Sequence, residues 1–408
     1  IRLSVPYAEK LPGGGKKSMR RSLADALGLL PQEGRYAVMR EQRSGLWFLR
    51  SSRELDEKGL ALILDGFQSQ VFLDIFEVAD DGRRLYSAVY EALGGRGIPD
   101  LADAVQDIVL KDLYAALARL ASPDFFASLR ELAAAGEKGS AKARKDFIEG
   151  AKAASLGFYE TAYGLIRETA AEEGMPGGAE IADAAAKAAA RFAAGLRALL
   201  EIPELLAEDK EDAAFIGRRL EEPGAVELMG AYLILDGLKG LVGKAAAGEE
   251  ARRLSERLCL SRKLKEALRA PGIQGDLAHR GLALAEAALE KGEAAKKAAD
   301  KARKAKESEA LAILRLLLSS DEEIRALIGV NVFEGVEWFN KELFEETCDF
   351  GLLDAALLLE TMKKDATRKE RREALLRATA FARELGSAEA ASGFRLEGLL
   401  EALEGGAK

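Results

Sequence analysis

The amino-acid sequence predicts a mainly α-helical protein in which a small antiparallel β-sheet domain near the N-terminus precedes a large irregular helical bundle. Two observations support this fold class. Short runs rich in Val, Tyr, Trp and Phe occupy residues 35–78, a composition typical of strands. From residue 83 onward Ala, Leu, Glu, Lys and Arg dominate, and all five are good helix formers. The helical pieces differ in length and share no repeated motif, which favours a bundle over a solenoid.

Four apolar runs make up the predicted β domain. Residues 35–41 and 45–52 flank a short turn that contains glycine. Residues 60–64 and 71–78 flank Asp65-Gly66, and an Asp-Gly dipeptide favours a tight hairpin turn because both residues tolerate positive φ. The last run begins several residues after the dipeptide, so a longer loop is an equal alternative. Together the four runs predict a small antiparallel sheet, with half of a sandwich as its candidate architecture.

Short segments that contain Gly or Pro divide the helical part and mark where helices begin and end. At Gly94–Pro99 we expect glycine to end one helix and Asp100 to cap the next. The other predicted breaks are Ser122–Asp124, Met175–Gly178, Glu222–Gly224 and Ala270–Gly272. The chain is therefore predicted to have four segments: a helical lead-in from a missing upstream domain at 1–30, the β domain at 31–80, a helical domain at 81–325, and a C-terminal aromatic motif with helices at 326–408.

Composition argues against several classes of function. The chain of 408 residues has a formal net charge of −8 and only 6% aromatic residues, which argues against nucleic-acid binding. His279, Cys259 and Cys348 are the only histidine and cysteines, and they lack the spacing of a zinc site, so we expect neither a metal nor a cofactor. The two cysteines do not resemble a disulfide framework, which favours a cytoplasmic location. No run of 18 apolar residues occurs, so we expect no membrane span.

Several motifs have a structural interpretation that outweighs a functional one. The segment PGGGKKS at 12–18 lacks the spacing and the preceding strand of a phosphate-binding loop, so we interpret it as a flexible basic loop. The Lys/Arg-rich runs at 291–306 and 363–372 are interpreted as solvated helix faces. His279 is expected to be a surface or capping residue, and both cysteines to be buried, inert thiols. Carboxylates are abundant, but no pair stands out as an acid–base pair.

One set of segments resembles a known family. Its members are residues 1–10, 21–29, 36–64, 70–78 and 92–105, together with "LIGVNVFEGVEWFNKELFEE" at 327–346. The set resembles the region that follows the catalytic barrel in large bacterial proteins of the α-amylase superfamily (glycoside hydrolase family 13). The resemblance covers about residues 1–110 and 325–346, and between them only helical character matches.

The resemblance implies a non-catalytic accessory region of an enzyme that acts on α-glucans. The superfamily's catalytic carboxylates and sugar-binding histidines belong to the barrel, so no catalytic residue is transferred to this chain. The expected partner is the missing upstream barrel of the same polypeptide, which this region would brace, and α-glucan is a candidate ligand. Candidates for the apolar face toward the barrel are Trp47, Phe48 and Phe72. Candidates for carbohydrate or partner contact are Trp47, Phe333, Trp338 and Phe339.

Two alternatives remain open. A stand-alone helical scaffold or protein-interaction module would present an exposed aromatic groove around Phe333, Trp338 and Phe339. An independent enzyme would need a deep pocket lined by at least two carboxylates near an aromatic ring.

Overall fold

The computed structural model describes residues 1–136, 140–169, 178–242, 246–318, 322–362 and 367–405. Helix makes up 67% of the structure and small antiparallel sheets lie near the N-terminus, so the predicted mainly-α fold class is confirmed. The chain forms two compact units, residues 1–111 and 112–408. The boundaries of the four predicted segments remain predictions.

Short strands and short helices alternate in the first unit. In chain order its elements are β1 (Tyr7–Lys10), β2 (Lys16–Met19), α1 (Leu23–Ala26), β3 (Arg35–Glu41), β4 (Trp47–Ser51), α2 (Ser52–Glu57), β5 (Phe72–Ala79), α3 (Leu85–Leu93) and α4 (Leu101–Val109).

The main sheet of this unit has the strand order β4-β3-β5, and both outer strands run antiparallel to β3. Successive residues of β3 point to opposite faces. Ala37 and Met39 pack with residues of α1 and α2, whereas Tyr36 and Val38 pack with residues of α3 and α4. Helices cover both faces of the sheet, so it is not half of a sandwich.

Two expectations for the first unit are wrong. Residues 60–64 form no strand, because β3 already pairs with β4 and β5 and the Leu60 amide donates instead to the Ile1 carbonyl at 2.8 Å. Residues 1–30 are not a helical lead-in, because β1 and β2 form a hairpin and only α1 is helical. The three glycines at 13–15 form the hairpin turn, and consecutive glycines strongly disfavour a helix.

Helices make up most of the second unit, and one hairpin interrupts them. In chain order its elements are α5 (Lys111–Leu120), α6 (Pro123–Ala135), α7 (Ala141–Thr169), α8 (Gly178–Leu205), α9 (Lys210–Leu220), α10 (Ala225–Gly237), a 3₁₀ turn (Leu238–Gly240), α11 (Ala247–Arg257), α12 (Leu260–Arg269), α13 (Gly275–Ala305), α14 (Glu309–Leu318), α15 (Glu322–Leu327), β6 (Asn331–Phe333), β7 (Val336–Trp338), α16 (Lys341–Met362), α17 (Arg368–Ser392) and α18 (Leu396–Gly405).

Helix boundaries follow the predicted local signals. Gly94 adopts a φ of 53° after α3, and the Asp100 side chain accepts the Asp103 amide at 3.1 Å where α4 begins. Ser122 caps α6 in the same way. Helices α10 and α13 begin just after the predicted breaks at 222–224 and 270–272. The predicted break at 175–178 lies outside the described residues, apart from Gly178.

Helix α10 is the most enclosed element of the second unit. Every residue from Val226 to Gly237 is buried, and the helix contacts α6, α8, α13 and α16. Close packing of this kind leaves no room for added atoms where two backbones meet. At Gly240, which ends the 3₁₀ turn after α10, an added Cβ would lie 2.5 Å from the backbone N and Cα of Ala188 in α8.

The β6–β7 hairpin lies within the segment that the sequence analysis recognised only as aromatic. Its turn residues Glu334 and Gly335 both have positive φ, 50° and 77°, as a type I′ turn requires. The sequence therefore contained a hairpin signal, an X-Gly turn between short apolar runs, that the surrounding helical pattern concealed.

Replacing Gly240 with alanine should destabilise the second unit. The new Cβ overlaps the backbone of α8, and overpacking of this kind typically costs about 1–3 kcal/mol. The matched control is Gly150→Ala in α7, where a Cβ meets no atom within 4 Å and should stabilise the helix by up to about 1 kcal/mol. Urea unfolding followed by far-UV circular dichroism measures both changes, and equal midpoints for the two variants would contradict the close approach at Gly240.

Candidate functional site

Trp47 is packed within the first unit. Its ring meets the Phe76 ring edge-on, with 6.2 Å between centroids, and the Arg40 guanidinium lies 5.8 Å from its centroid. The indole is half-buried. Trp47 therefore offers only part of its surface to a ligand.

The other three candidate contact residues lie in or beside the β6–β7 hairpin of the second unit. Phe333 is 65% exposed, Trp338 is half-buried, and Phe339 is 4% exposed within the helical core. Only Phe333 offers an open aromatic face among these three, so they do not line an exposed aromatic groove.

The proposed barrel-facing set of Trp47, Phe48 and Phe72 is split between the two faces of the sheet. Trp47 joins the cluster beneath α3 and α4, whereas Phe48 and Phe72 join the cluster beneath α1 and α2. Adjacent residues of a strand point to opposite faces, so Trp47 and Phe48 cannot form one surface. This expectation is wrong.

An exposed apolar strip instead follows the loop before β5 and continues along that strand. We define the apolar strip as Ile63, Leu64, Phe67, Val71, Leu73 and Phe76. All six side chains are at least 45% exposed, and Ile63 is 95% exposed. Among the described residues, β5 pairs with β3 alone, so its other edge carries unpaired backbone groups. A group of exposed large apolar side chains next to an unpaired strand edge is unusual unless another surface covers it.

A buried charge cluster lies in the second unit. We define it as Arg191 of α8, Tyr232 and Asp236 of α10, Lys239 of the 3₁₀ turn and Asp354 of α16. Arg191 Nε donates to Asp236 Oδ2 at 2.6 Å and Arg191 Nη2 donates to Asp236 Oδ1 at 3.0 Å, while Lys239 Nζ lies 3.1 Å from Asp236 Oδ1. The Tyr232 hydroxyl donates to Asp354 Oδ1 at 2.6 Å. The cluster thus joins α8, α10 and α16 through polar contacts.

The pKa values of the two acids of this cluster shift in opposite directions, although burial raises both. For Asp236, burial alone raises the pKa, but the adjacent Lys239 and Arg191 charges outweigh it and hold the pKa below its usual value. For Asp354, burial raises the pKa to about 6, although the Tyr232 hydrogen bond and the Lys239 charge act against it. A perturbed buried acid beside a cavity is a candidate functional group, and structural ion pairs produce the same signature.

Asp354 lines a cavity of about 260 Å³ between α13, α14, α16 and α17, which we call the bundle cavity. Phe344 and Phe350 also line it, together with the carboxylates of Asp300 and Glu309. Both of these carboxylates are hydrogen-bonded to Arg303, at 2.9 Å and 2.8 Å. Asp354 accepts the Tyr232 hydroxyl at 2.6 Å, so each of the three acids that line this cavity already has a partner within the protein.

A second cavity, of about 670 Å³, lies between α6, α9, α10 and the loop before α13. Glu221, Glu222 and Glu227 line it without an aromatic ring, and Glu227 is hydrogen-bonded to Arg130 at 3.0 Å. This cavity therefore lacks the carboxylate and aromatic arrangement expected of an independent glycosidase.

The remaining candidate nucleophiles and metal ligands do not cluster. His279 is exposed on α13, and burial raises the pKa of the Cys348 thiol well above its usual value, which keeps it protonated. No group of three or more His, Cys, Asp or Glu side chains with metal-binding geometry occurs among the described residues. Across the same part of the chain, no helix has both the length and the apolar character needed to cross a membrane.

Comparisons with protein-family models, curated proteins and solved structures find no match for this chain. Its function is therefore argued from the apolar strip, the charge cluster and the cavities.

Sequence reasoning missed both the apolar strip and the charge cluster. A signal for the strip was present, because Ile63 lies at the end of an apolar run just before Asp65-Gly66, and Phe67 directly follows that turn-forming dipeptide. A signal for the cluster was present too, because Asp236 ends a long apolar run, where a carboxylate requires a neutralising partner. Neither signal identifies the partner.

Replacing Asp354 with asparagine should change how stability depends on pH. The pKa of Asp354 is about 6 in the folded protein and about 3.9 in an unfolded chain, so the folded state holds this proton more tightly. The stabilisation from the proton is complete below about pH 4 and is lost as the pH rises through about 6. At about 1.4 kcal/mol per pKa unit, the loss approaches about 3 kcal/mol.

In Asp354→Asn, position 354 no longer titrates, so the variant avoids this loss. As the pH rises from 4 to 7.5, its unfolding free energy should increase relative to that of wild type by up to about 3 kcal/mol. Chemical denaturation at several pH values measures the difference. Asp183→Asn, which changes an exposed carboxylate of α8, is the control and should track wild type. A constant difference between Asp354→Asn and wild type would show that Asp354 titrates alike in both states.

Proposed function

We propose that this chain is a non-catalytic accessory region that docks against a further domain through the apolar strip. We further propose that this domain is the barrel of an α-amylase-type enzyme acting on α-glucans. The single observation that carries the proposal is the exposure of the apolar strip in the loop before β5 and on that strand, whose outer edge is unpaired.

The distribution of exposed apolar side chains supports a docking role for the first unit. Most of the large apolar side chains that are exposed among the described residues belong to this unit, although it contains only 111 of the 408 residues. Covering such side chains removes apolar area from water at about 25 cal/mol per Å². A partner surface that covers these side chains would therefore stabilise the assembly, whereas the first unit alone leaves them exposed to water.

The choice of partner rests on the family resemblance. Ile63, Leu64, Val71, Leu73 and Phe76 fall within segments that carry the resemblance to the region after the α-amylase barrel. In that family the corresponding segment follows the barrel. The apolar strip is thus proposed to pack against the barrel and brace it, without contributing a catalytic group.

A second candidate function, a protein-interaction module, is favoured by the β6–β7 hairpin. Val332, Phe333 and Val336 are exposed on it, and Phe394 is exposed just before α18. These exposed side chains are fewer than those of the apolar strip, and the hairpin lacks an open strand of comparable length.

Polar substitutions in the apolar strip should weaken docking without unfolding the chain. The double variant Ile63→Ser/Phe67→Ser removes two highly exposed side chains, so its own thermal midpoint should stay near wild type. Retention on the immobilised polypeptide that the same reading frame encodes upstream of Ile1 should fall by about tenfold or more, because buried aromatic and aliphatic anchors dominate interface affinity.

Leu316→Ser is the matched control, because Leu316 is 41% exposed on α14 and lies outside the strip. It should be retained like wild type. Equal retention of the double variant and wild type would exclude the apolar strip as the docking surface.

A further inference from the structure

The bundle cavity has one apolar end and one end at a buried carboxylate. On α16 its lining residues run from Phe344 to Asp354, which spans about 15 Å of helix. At the Phe344 end the wall belongs to a hydrophobic cluster that also contains Leu318 and Ile328. On α13 the wall includes small side chains such as Ala288, which leave space between the helices.

The charged side chains of the lining offer no spare charge to a ligand. Arg303 donates to Asp300 at 2.9 Å and to Glu309 at 2.8 Å. The other cations of the described lining are paired with Glu290 at 3.0 Å, engaged elsewhere in the chain, or exposed to water, and these are Lys291, Lys296 and Arg377 respectively. This balance argues against an ionic ligand of either sign.

Asp354 leaves one hydrogen-bond acceptor unfilled at its end of the cavity. Its side chain is buried, and the Tyr232 hydroxyl donates to Oδ1 at 2.6 Å. Oδ2 accepts no hydrogen bond from the residues that the structure describes. Buried carboxylate oxygens normally have a donor, so a ligand that supplies one would complete this group.

The donor that fits beside Asp354 is a neutral one. The buried charge cluster already contains two cations, Arg191 and Lys239, against the carboxylates of Asp236 and Asp354. A further cation would therefore be in excess in a site removed from water, and a second carboxylate would bring like charges together. A hydroxyl group donates a hydrogen bond without adding charge.

We propose that the bundle cavity binds a neutral alkyl alcohol, whose hydroxyl donates to Asp354 Oδ2 and whose chain extends toward Phe344. Apolar cavities take up neutral apolar molecules, and one of about 150 Å³ lined by Leu, Ile and Phe binds benzene. The bundle cavity is larger, about 260 Å³. This binding is separate from docking through the apolar strip, because the cavity lies wholly within the second unit.

Two alanines of α13 allow a matched test of the cavity. Ala288 lines the cavity, so Ala288→Leu fills part of the space for the alkyl chain. Ala294 is exposed and does not line the cavity, so Ala294→Leu makes the same substitution in the same helix without filling it. Ala295→Leu is a second filling variant, because Ala295 also lines the cavity.

The experiment is isothermal titration of the full chain with decan-1-ol, below its solubility limit and at pH 7.5. We expect saturable binding that Ala288→Leu weakens by at least about tenfold and Ala294→Leu leaves unchanged. Ala295→Leu should also weaken binding, and it replaces Ala288→Leu if circular dichroism shows that Ala288→Leu is unfolded. No saturable binding by wild type, or wild-type affinity in a folded filling variant, would overturn the proposal.

The hydroxyl group is tested on the wild-type chain with ligands of matched size. The isomeric ether 1-methoxynonane has no donor and should bind about tenfold more weakly than decan-1-ol. Decanoate and decylammonium should also bind more weakly, because each adds a charge that the cavity does not balance. Equal affinity for the ether would overturn the hydrogen bond to Asp354, and tighter binding of either ion would overturn the assignment of a neutral ligand.

Discussion

Helix α10 is enclosed by other helices, and this enclosure constrains the whole second unit. Its Asp236 cannot reach water, so a cation must neutralise it from within the protein. Arg191 of α8 and Lys239 of the following turn supply that charge. Tyr232, one turn earlier on α10, reaches Asp354 of α16. The contacts of one buried helix therefore fix the relative positions of two further helices and leave a perturbed acid in the wall of the bundle cavity.

In the first unit, part of the apolar surface remains uncovered. Helices cover both faces of a three-stranded sheet, but among the described residues no element covers the outer edge of β5 or the loop before it. The apolar strip therefore stays exposed to water, and only a second surface can bury it. A unit with this arrangement is suited to docking, which is the physical basis for the proposed accessory role.

Features that depend on neighbouring residues could be predicted from the sequence. The caps at Gly94, Asp100 and Ser122 act within one helical turn, and the mixed composition of 35–52 marks two strands. Features that depend on distant residues could not. Leu60 begins an apolar run whose composition predicts a strand. The run forms none, because both edges of β3 are paired with β4 and β5. Arg191, Asp236 and Asp354 are far apart in the chain, and no local pattern brings them together.

The most direct measurement is the amino-acid sequence encoded in the same reading frame upstream of the Ile1 codon. If the first unit docks against an α-amylase-type barrel of its own polypeptide, the frame should continue for several hundred residues. It should then encode alternating strands and helices with the superfamily's aspartate, glutamate and second aspartate. A start codon directly before Ile1, preceded by a stop codon in the same frame, would contradict the proposed accessory role in that polypeptide.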